Sequence, residues 1–219
     1  MIVGNFKYEA GSILDDLVSR YPHLASCKNE ISDAIELLVE CYRSGGKLLV
    51  CGNGGSAADS EHIVGELMKS FMRPREVDED FAQAYFERFS TAPPAWLEGA
   101  LPSLSLVSQT ALSTAFSNDE CAEGYFAQQV YGYGRPDDTL WCISTSGNSE
   151  NVVEAAKVAL AKGMKVIALT GQKESLLSLV ATISIKVPAQ ETFEVQELHL
   201  PIYHCICATV EAVLFGRGA

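Results

Sequence analysis

At 219 residues with 47% hydrophobic side chains, the chain is long enough to bury a substantial core in one compact domain. Its formal charge of −12 and pI near 4.7 tell against a general nucleic-acid binder, because an acidic surface repels phosphates and no Lys/Arg cluster offsets it. No run of about 18 apolar residues is present to cross a membrane, and "MIVGNFKYEAGS" lacks the basic-then-apolar pattern of a secretory signal, so a cytoplasmic protein that engages no membrane is expected.

In chain order, the first 45 residues read as N-terminal helices. "SILDDLVSRY" and "NEISDAIELLVECYRSGG" repeat apolar residues at three- and four-residue steps, and Gly45-Gly46 stops the second. "KLLVCG" (Lys47–Gly52) is strand-like, "GNGGS" turns the chain, and a helix is expected from about Ala57 to Phe71. An insertion at about 74–100 is Pro-rich at both ends and acidic, with Phe81, Tyr85, Phe86 and Phe89 spaced for one short amphipathic helix. A span this long between core elements is either functional, partner-contacting, or a surface excursion that packs its aromatics on its own domain.

Order resumes with a strand at Leu104–Ser108. Helices follow at "QTALSTAFSND" and "AEGYFAQQVYGYG", then strand and loop at "DDTLWCISTSGNS". "ENVVEAAKVALAKG" is a periodic helix stopped at Gly163. "MKVIALT" is a strand, "SLLSLV" a short helix, and "TISIKVP" a final strand. "FEVQELHLPIYHCICATVEAVLFG" is a long closing helix, in which Pro201 is expected to kink the axis or free a carbonyl. Alternating strands and helices predict an α/β fold, a parallel sheet covered on both faces. Ligands bind such sheets beyond the carboxyl ends of the strands, where "GNGGS" and "STSGNS" both fall. Seven cysteines at irregular spacing make a poor disulfide framework; Cys205 and Cys207 read as small core residues.

Four features carry chemistry. "STSGNS" offers the hydroxyls of Ser144, Thr145, Ser146 and Ser149, then a helix whose N-terminus presents free N–H groups and partial positive charge. That is a phosphate cradle without Lys or Arg, where a plain polar turn would need only one Ser cap. "GNGGS" (Gly52–Ser56) alone reads equally as a tight strand-to-helix turn; it lacks the third glycine of a dinucleotide loop. His62 and Glu66, four apart, share a helix face as a metal half-site, an acid/base unit or an ordinary surface pair. Gln196, Glu197, His199 and His204 share the closing helix. Gln196 and His204, about 80° apart around it, face one site if the helix bends near Pro201. His204 lies in an apolar run where a core histidine is the ordinary reading, yet three of the chain's four histidines fall in these two segments.

The combination of "GNGGSAAD", His62 and Glu66, "STSGNS" and "VQELHLPIYH" resembles the sugar isomerase (SIS) domain family, and within it the phosphoheptose isomerases. The resemblance covers nearly the whole chain outside Arg75 to about Gly99. It implies a single three-layer α/β/α sandwich, flavodoxin-like, over 1–219. It also implies interconversion of sedoheptulose 7-phosphate and a D-glycero-D-manno-heptose 7-phosphate. Carried over position by position, it puts a substrate loop at Asn53, Gly54, Gly55 and Ser56, and an Asn-Asp pair at Asn118 and Asp119. The phosphate loop falls on Ser144, Thr145, Ser146 and Ser149. A zinc ion falls on His62, Glu66, Gln196 and His204, with Glu66 and His204 as acid/base pair and Glu66 and Gln196 also touching substrate. A homotetramer with sites at subunit interfaces is implied. Two departures stand out: the insertion, and Phe193 where some members carry an Asp touching the sugar. They leave open an isomerase of a different phosphosugar, or a non-catalytic SIS protein that binds a sugar phosphate as effector or acts as an interaction protein. The presence of both Glu66 and His204 favours the enzyme.

Overall fold

The computed structural model describes residues 10–216; the expectation of helix over residues 1–9 lies outside them. Helices α1 (Ala10–Arg20) and α2 (Lys28–Arg43), joined by a 3₁₀ segment at Pro22–Cys27, precede the sheet. Its strands are β1 (Leu48–Gly52), β2 (Ser103–Ser105), β3 (Thr139–Ser144), β4 (Lys165–Thr170) and β5 (Ile183–Lys186). Between β1 and β2 run α3 (Gly55–Met68) and α4 (Glu79–Phe89); between β2 and β3, α5 (Thr110–Asp119) and α6 (Tyr125–Tyr133). Helix α7 (Glu150–Ala161) leads to β4, α8 (Leu176–Val180) to β5, and α9 (Thr192–Leu214) closes the chain.

All strand pairs are parallel, in the order β2-β1-β3-β4-β5. The order reverses at β1, which lies between β2 and β3, so the loops after β1 and β3 open side by side at the carboxyl edge. This is the crevice where doubly wound sheets bind ligands.

The two-residue period of the strands assigns each side chain to a layer. Leu48, Val50, Trp141, Ile143, Ile167 and Leu169 pack with Leu17, Leu38, Ile63 and Ile206 of α1, α2, α3 and α9. Leu49, Cys51, Leu140, Cys142, Val166 and Ala168 pack with Phe126, Val130, Val152 and Leu177 of α6, α7 and α8. Burying each large aliphatic side chain contributes about 1.5–3 kcal/mol. Apolar residues at consecutive strand positions are the sequence trace of a sheet buried on both faces. Cys205 and Cys207 lie in the core, and among the described residues every cysteine is a free thiol.

Several boundaries differ from expectation for local reasons. Helix α3 begins at Gly55, two residues earlier, because Gly54 takes a left-handed φ of +57° and starts the turn. It ends at Met68 rather than Phe71, where Lys69 is extended and the Arg75 guanidinium takes the carbonyls of Glu66 and Leu67. Strand β2 is an edge strand of only Ser103–Ser105, since Ser105 Oγ accepts from Val107 N and turns the chain. Helix α9 continues through Pro201.

The insertion forms α4, capped by the Asp78 carboxylate on Phe81 N at 2.7 Å. Its rings stack on one another, Phe81 on Tyr85 and Tyr85 on Phe89, with centroids 5.9 and 4.8 Å apart. They do not pack on the domain: α4 has no buried residue, and Phe86, Phe89 and Trp96 are 55%, 56% and 78% exposed.

Candidate active site

The loop after β3 gathers hydroxyls and a helix N-terminus in one place. Ser144 ends the strand buried, and its Oγ accepts from Gly147 N at 3.1 Å and lies 3.0 Å from Ser149 Oγ. Ser149 occupies the N-cap of α7, yet its hydroxyl makes no cap bond to the helix. The first N–H groups of α7 are thus left for a ligand, with the helix dipole behind them. Gly147 has φ +65°, and a Cβ there would stand 2.0 Å from Ser175 Oγ, so only glycine fits. Ser146 is exposed at the tip, its Oγ accepting from Asn148 N at 3.1 Å. Thr145 fixes the loop to β4 through its carbonyl, which accepts from Gly171 N at 3.0 Å.

The loop after β1 lies beside it. Asn53 and Asn151 exchange two amide hydrogen bonds, at 2.8 and 2.9 Å, tying the two loops across the crevice. Asn53, Gly54 and Gly55 are exposed, while Ser56 is buried under the turn. A Cβ at Gly55 would stand 2.5 Å from Gln196 Nε2, so the Gln196 amide rests on this loop's backbone.

Further along α3, three side chains converge. One ligand atom each from His62, Glu66 and His204 lies within 4.8 Å of the others, a group able to hold a metal ion. His62 Nε2 is 3.1 Å from Glu66 Oε1 and 3.4 Å from His204 Nε2. Glu66 Oε2 is buried with no hydrogen-bond partner, and Lys69 Nζ stands 3.6 Å from it. Burial and the neighbouring His62 push the His204 imidazole below the usual histidine range, with Glu66 opposing.

Helices α3 and α9 run side by side in the same direction: Gln196 meets Gly55, His204 meets His62, and Glu211 meets Phe71 and Met72. Gln196 and His204 therefore both face α3, the first at its N-terminus. From Gly55 to His62 the rise is about 10 Å. Asn118 and Asp119 end α5, hydrogen-bonded to each other at 2.8 Å, exposed and not bonded to either loop. Phe193 is exposed on the first turn of α9.

Four side chains that contact the candidate site residues or their helices escaped the sequence reading. Asn151 follows "SGNSE" directly and pairs with Asn53. Tyr203, beside His204, contacts His62 Nδ1 at 3.0 Å and Asp59 Oδ1 at 3.2 Å. Glu211 is a lone charge in the apolar run "CATVEAVLF", and such a residue demands a buried partner. The partner is Arg75, Nε to Oε1 at 2.8 Å, at the start of the insertion.

The comparisons with known proteins agree with this geometry. The sequence profile of the SIS domain family matches residues 23–83 and 79–171. A phosphoheptose isomerase of Thiobacillus denitrificans is 37% identical over 218 residues, covering 98% of this chain and 95% of that protein. One from Shewanella baltica is 34% identical over 210 residues, covering 94% of each. Among solved structures, the phosphoheptose isomerase of Francisella tularensis superposes with a TM-score of 0.70 at 30% identity, covering 92% of this chain and 95% of that one. That of Neisseria gonorrhoeae gives 0.67 at 30% identity, covering 90% and 98%. The chain belongs to the SIS domain family and, within it, to the phosphoheptose isomerases.

Proposed function

We propose that the protein is a ketose–aldose isomerase converting sedoheptulose 7-phosphate to D-glycero-D-manno-heptose 7-phosphate. The observation that carries this reading is the meeting of Glu66 with His204 and His62 on paired helices, below a loop built for phosphate. Membership in the family of phosphoheptose isomerases supports it.

Moving a carbonyl between C1 and C2 needs a base for a carbon proton and an acid for an oxygen. Glu66 has one oxygen for each of two tasks: Oε1 faces His62, and Oε2 is buried without a hydrogen-bond partner, 3.6 Å from Lys69 Nζ. In our reading Oε2 takes a proton from C1 of the ketose while His204 delivers one to the C2 oxygen, giving the enediol. Return of the carbon proton from Glu66 to C2, with the C1 hydroxyl proton passing to His204, gives the aldose and restores both groups. The cradle of Ser144, Thr145, Ser146 and Ser149 with the α7 N-terminus holds the phosphate, at the far end of the sugar. Asn53 to Ser56, Asn118 and Asp119 bind the sugar between.

Two imidazole nitrogens and a carboxylate with an orphaned buried oxygen are a donor set suited to zinc. His62, Glu66 and His204 would hold it; Gln196, the fourth ligand the family implies, rests against Gly55, about 10 Å of helix rise from His62. When bound, zinc supplies Lewis-acid polarisation of the carbonyl oxygen. We further read the protein as a homotetramer with sites at subunit interfaces. Supporting this, α5 and α4 carry no buried residue.

The test is a panel of five- to seven-carbon sugar phosphates incubated with purified protein and followed for ketose–aldose conversion. Turnover confined to the heptose pair is expected. Turnover of another phosphosugar alone would reassign the substrate, and none at all would remove the activity.

A further inference from the structure

We infer that Arg75 and Glu211 form a positioning pair that sets Glu66 of α3 against His204 of α9. The inference rests on the acid/base reading of those two residues.

Both side chains are fully buried, and each of their polar groups is engaged. Glu211 Oε1 accepts from Arg75 Nε and Phe71 N, each at 2.8 Å, and Oε2 accepts from Met72 N at 2.8 Å. Arg75 Nη2 donates to the carbonyl of Glu66 at 2.8 Å, and Nη1 donates to that of Leu67. The guanidinium thus caps the C-terminal turn of α3 at the residue whose side chain is the proposed base. Glu211 lies two turns past His204 on the same face of α9. A continuous series of hydrogen bonds therefore runs from the Glu66 backbone to the helix that carries His204.

Stability alone does not explain such a pair. Desolvating two charges is costly, and apolar residues of similar volume are often as stable or more so. What a planar five-donor fork does, and packed methylenes cannot, is fix two carbonyls and a carboxylate in one geometry. Here those three groups belong to the two helices of the site. The same Arg75 begins the insertion, and its carbonyl accepts from Gly99 N at 3.0 Å, closing the neck of that segment. Arg75 is therefore part of the site's frame as well as the start of the insertion.

Arg75→Lys tests this, because it keeps a positive charge near Glu211 but cannot cap two carbonyls at once. Wild type, Arg75→Lys and Glu66→Gln are compared, well below their melting temperatures, for kcat, KM and zinc affinity per folded molecule. Losses of about 10–100-fold in kcat and in zinc affinity are expected for Arg75→Lys, as for other groups that orient ligands, with KM within about twofold. If Arg75→Lys does not fold, Arg75→Met/Glu211→Leu removes both charges together, and the same losses are expected. A folded variant of either kind with wild-type kcat and zinc affinity overturns the inference. Wild type without turnover, or Glu66→Gln with full turnover, overturns instead the reading beneath it, and the two failures are thereby told apart.

Discussion

Tyr203 bonds His62 at Nδ1, across 3.0 Å, and so decides which nitrogen faces the site. With Asp59 ionised, its carboxylate can only accept, so the Tyr203 hydroxyl donates to Oδ1 at 3.2 Å. The Tyr203 oxygen then accepts from Nδ1–H of His62, which turns Nε2 toward Glu66 and His204. Burial and the adjacent Asp59 push the tyrosine hydroxyl up, keeping it protonated. Tyr203→Phe is expected to leave the fold intact and to lower zinc affinity or kcat by about 10–100-fold. Isothermal titration with zinc and steady-state kinetics read this out; wild-type values for both would show that the hydroxyl does not orient His62.

Gly147→Ala tests the phosphate cradle. The left-handed conformation alone costs about 1–2 kcal/mol for an L residue, and the added methyl would meet Ser175 Oγ at 2.0 Å. The loop must shift, taking Ser146 and Ser149 with it. KM for the sugar phosphate is expected to rise at least tenfold, and inorganic phosphate to compete with it correspondingly more weakly. Ser146→Ala is expected to act in the same direction more weakly. An unchanged KM in both variants would place phosphate elsewhere.

Chelation should abolish turnover, and zinc should restore it. His62→Ala, which removes one of the three converging ligands, should retain the fold and bind zinc at least tenfold more weakly, measured by competition with a chromogenic chelator. A metal-free protein with undiminished turnover would remove zinc from the chemistry while leaving the acid/base pair in place.

His199 makes a prediction about pH and stability. It is fully buried on α9 with neither ring nitrogen bonded, and burial pushes its imidazole down to about 4, despite the neighbouring Thr170 backbone. In the unfolded chain it titrates near 6.5. Below that pH the unfolded state takes up a proton that the folded state refuses, so stability is full above about 6.5 and falls as pH drops toward 4. Over that window the loss is on the order of 3 kcal/mol. Denaturant melts of wild type and His199→Phe should diverge in this way, the variant having the flatter profile. Parallel profiles would show that His199 is solvated.

Much of the architecture is legible in the sequence because each layer imposes its own period. Leu48 to Cys51 and Leu140 to Ile143 are apolar at every position because the sheet is covered on both sides. The juxtaposition at "STSGNS" is legible because hydroxyls, a glycine and a helix start stand together in the chain. What the sequence conceals is pairing at a distance. His62 and His204 are 142 positions apart, and Arg75 and Glu211 136 apart; only the parallel packing of α3 and α9 brings each pair together. His62 and His204 enter through family resemblance. Arg75 does not, because nothing in the sequence beside it marks a partner as distant as Glu211. The aromatics of α4 were equally ambiguous, since their spacing fits packing on the domain as well as the exposed stack that forms.

The most direct measurement is turnover of sedoheptulose 7-phosphate by wild type and Glu66→Gln, both shown folded by circular dichroism and both titrated for phosphosugar affinity. Wild type should form the heptose 7-phosphate. The variant should bind the sugar phosphate within a fewfold of wild type and lose about 10²–10⁴-fold in kcat, the range for removing a general base. Equal turnover by the two proteins would contradict the account.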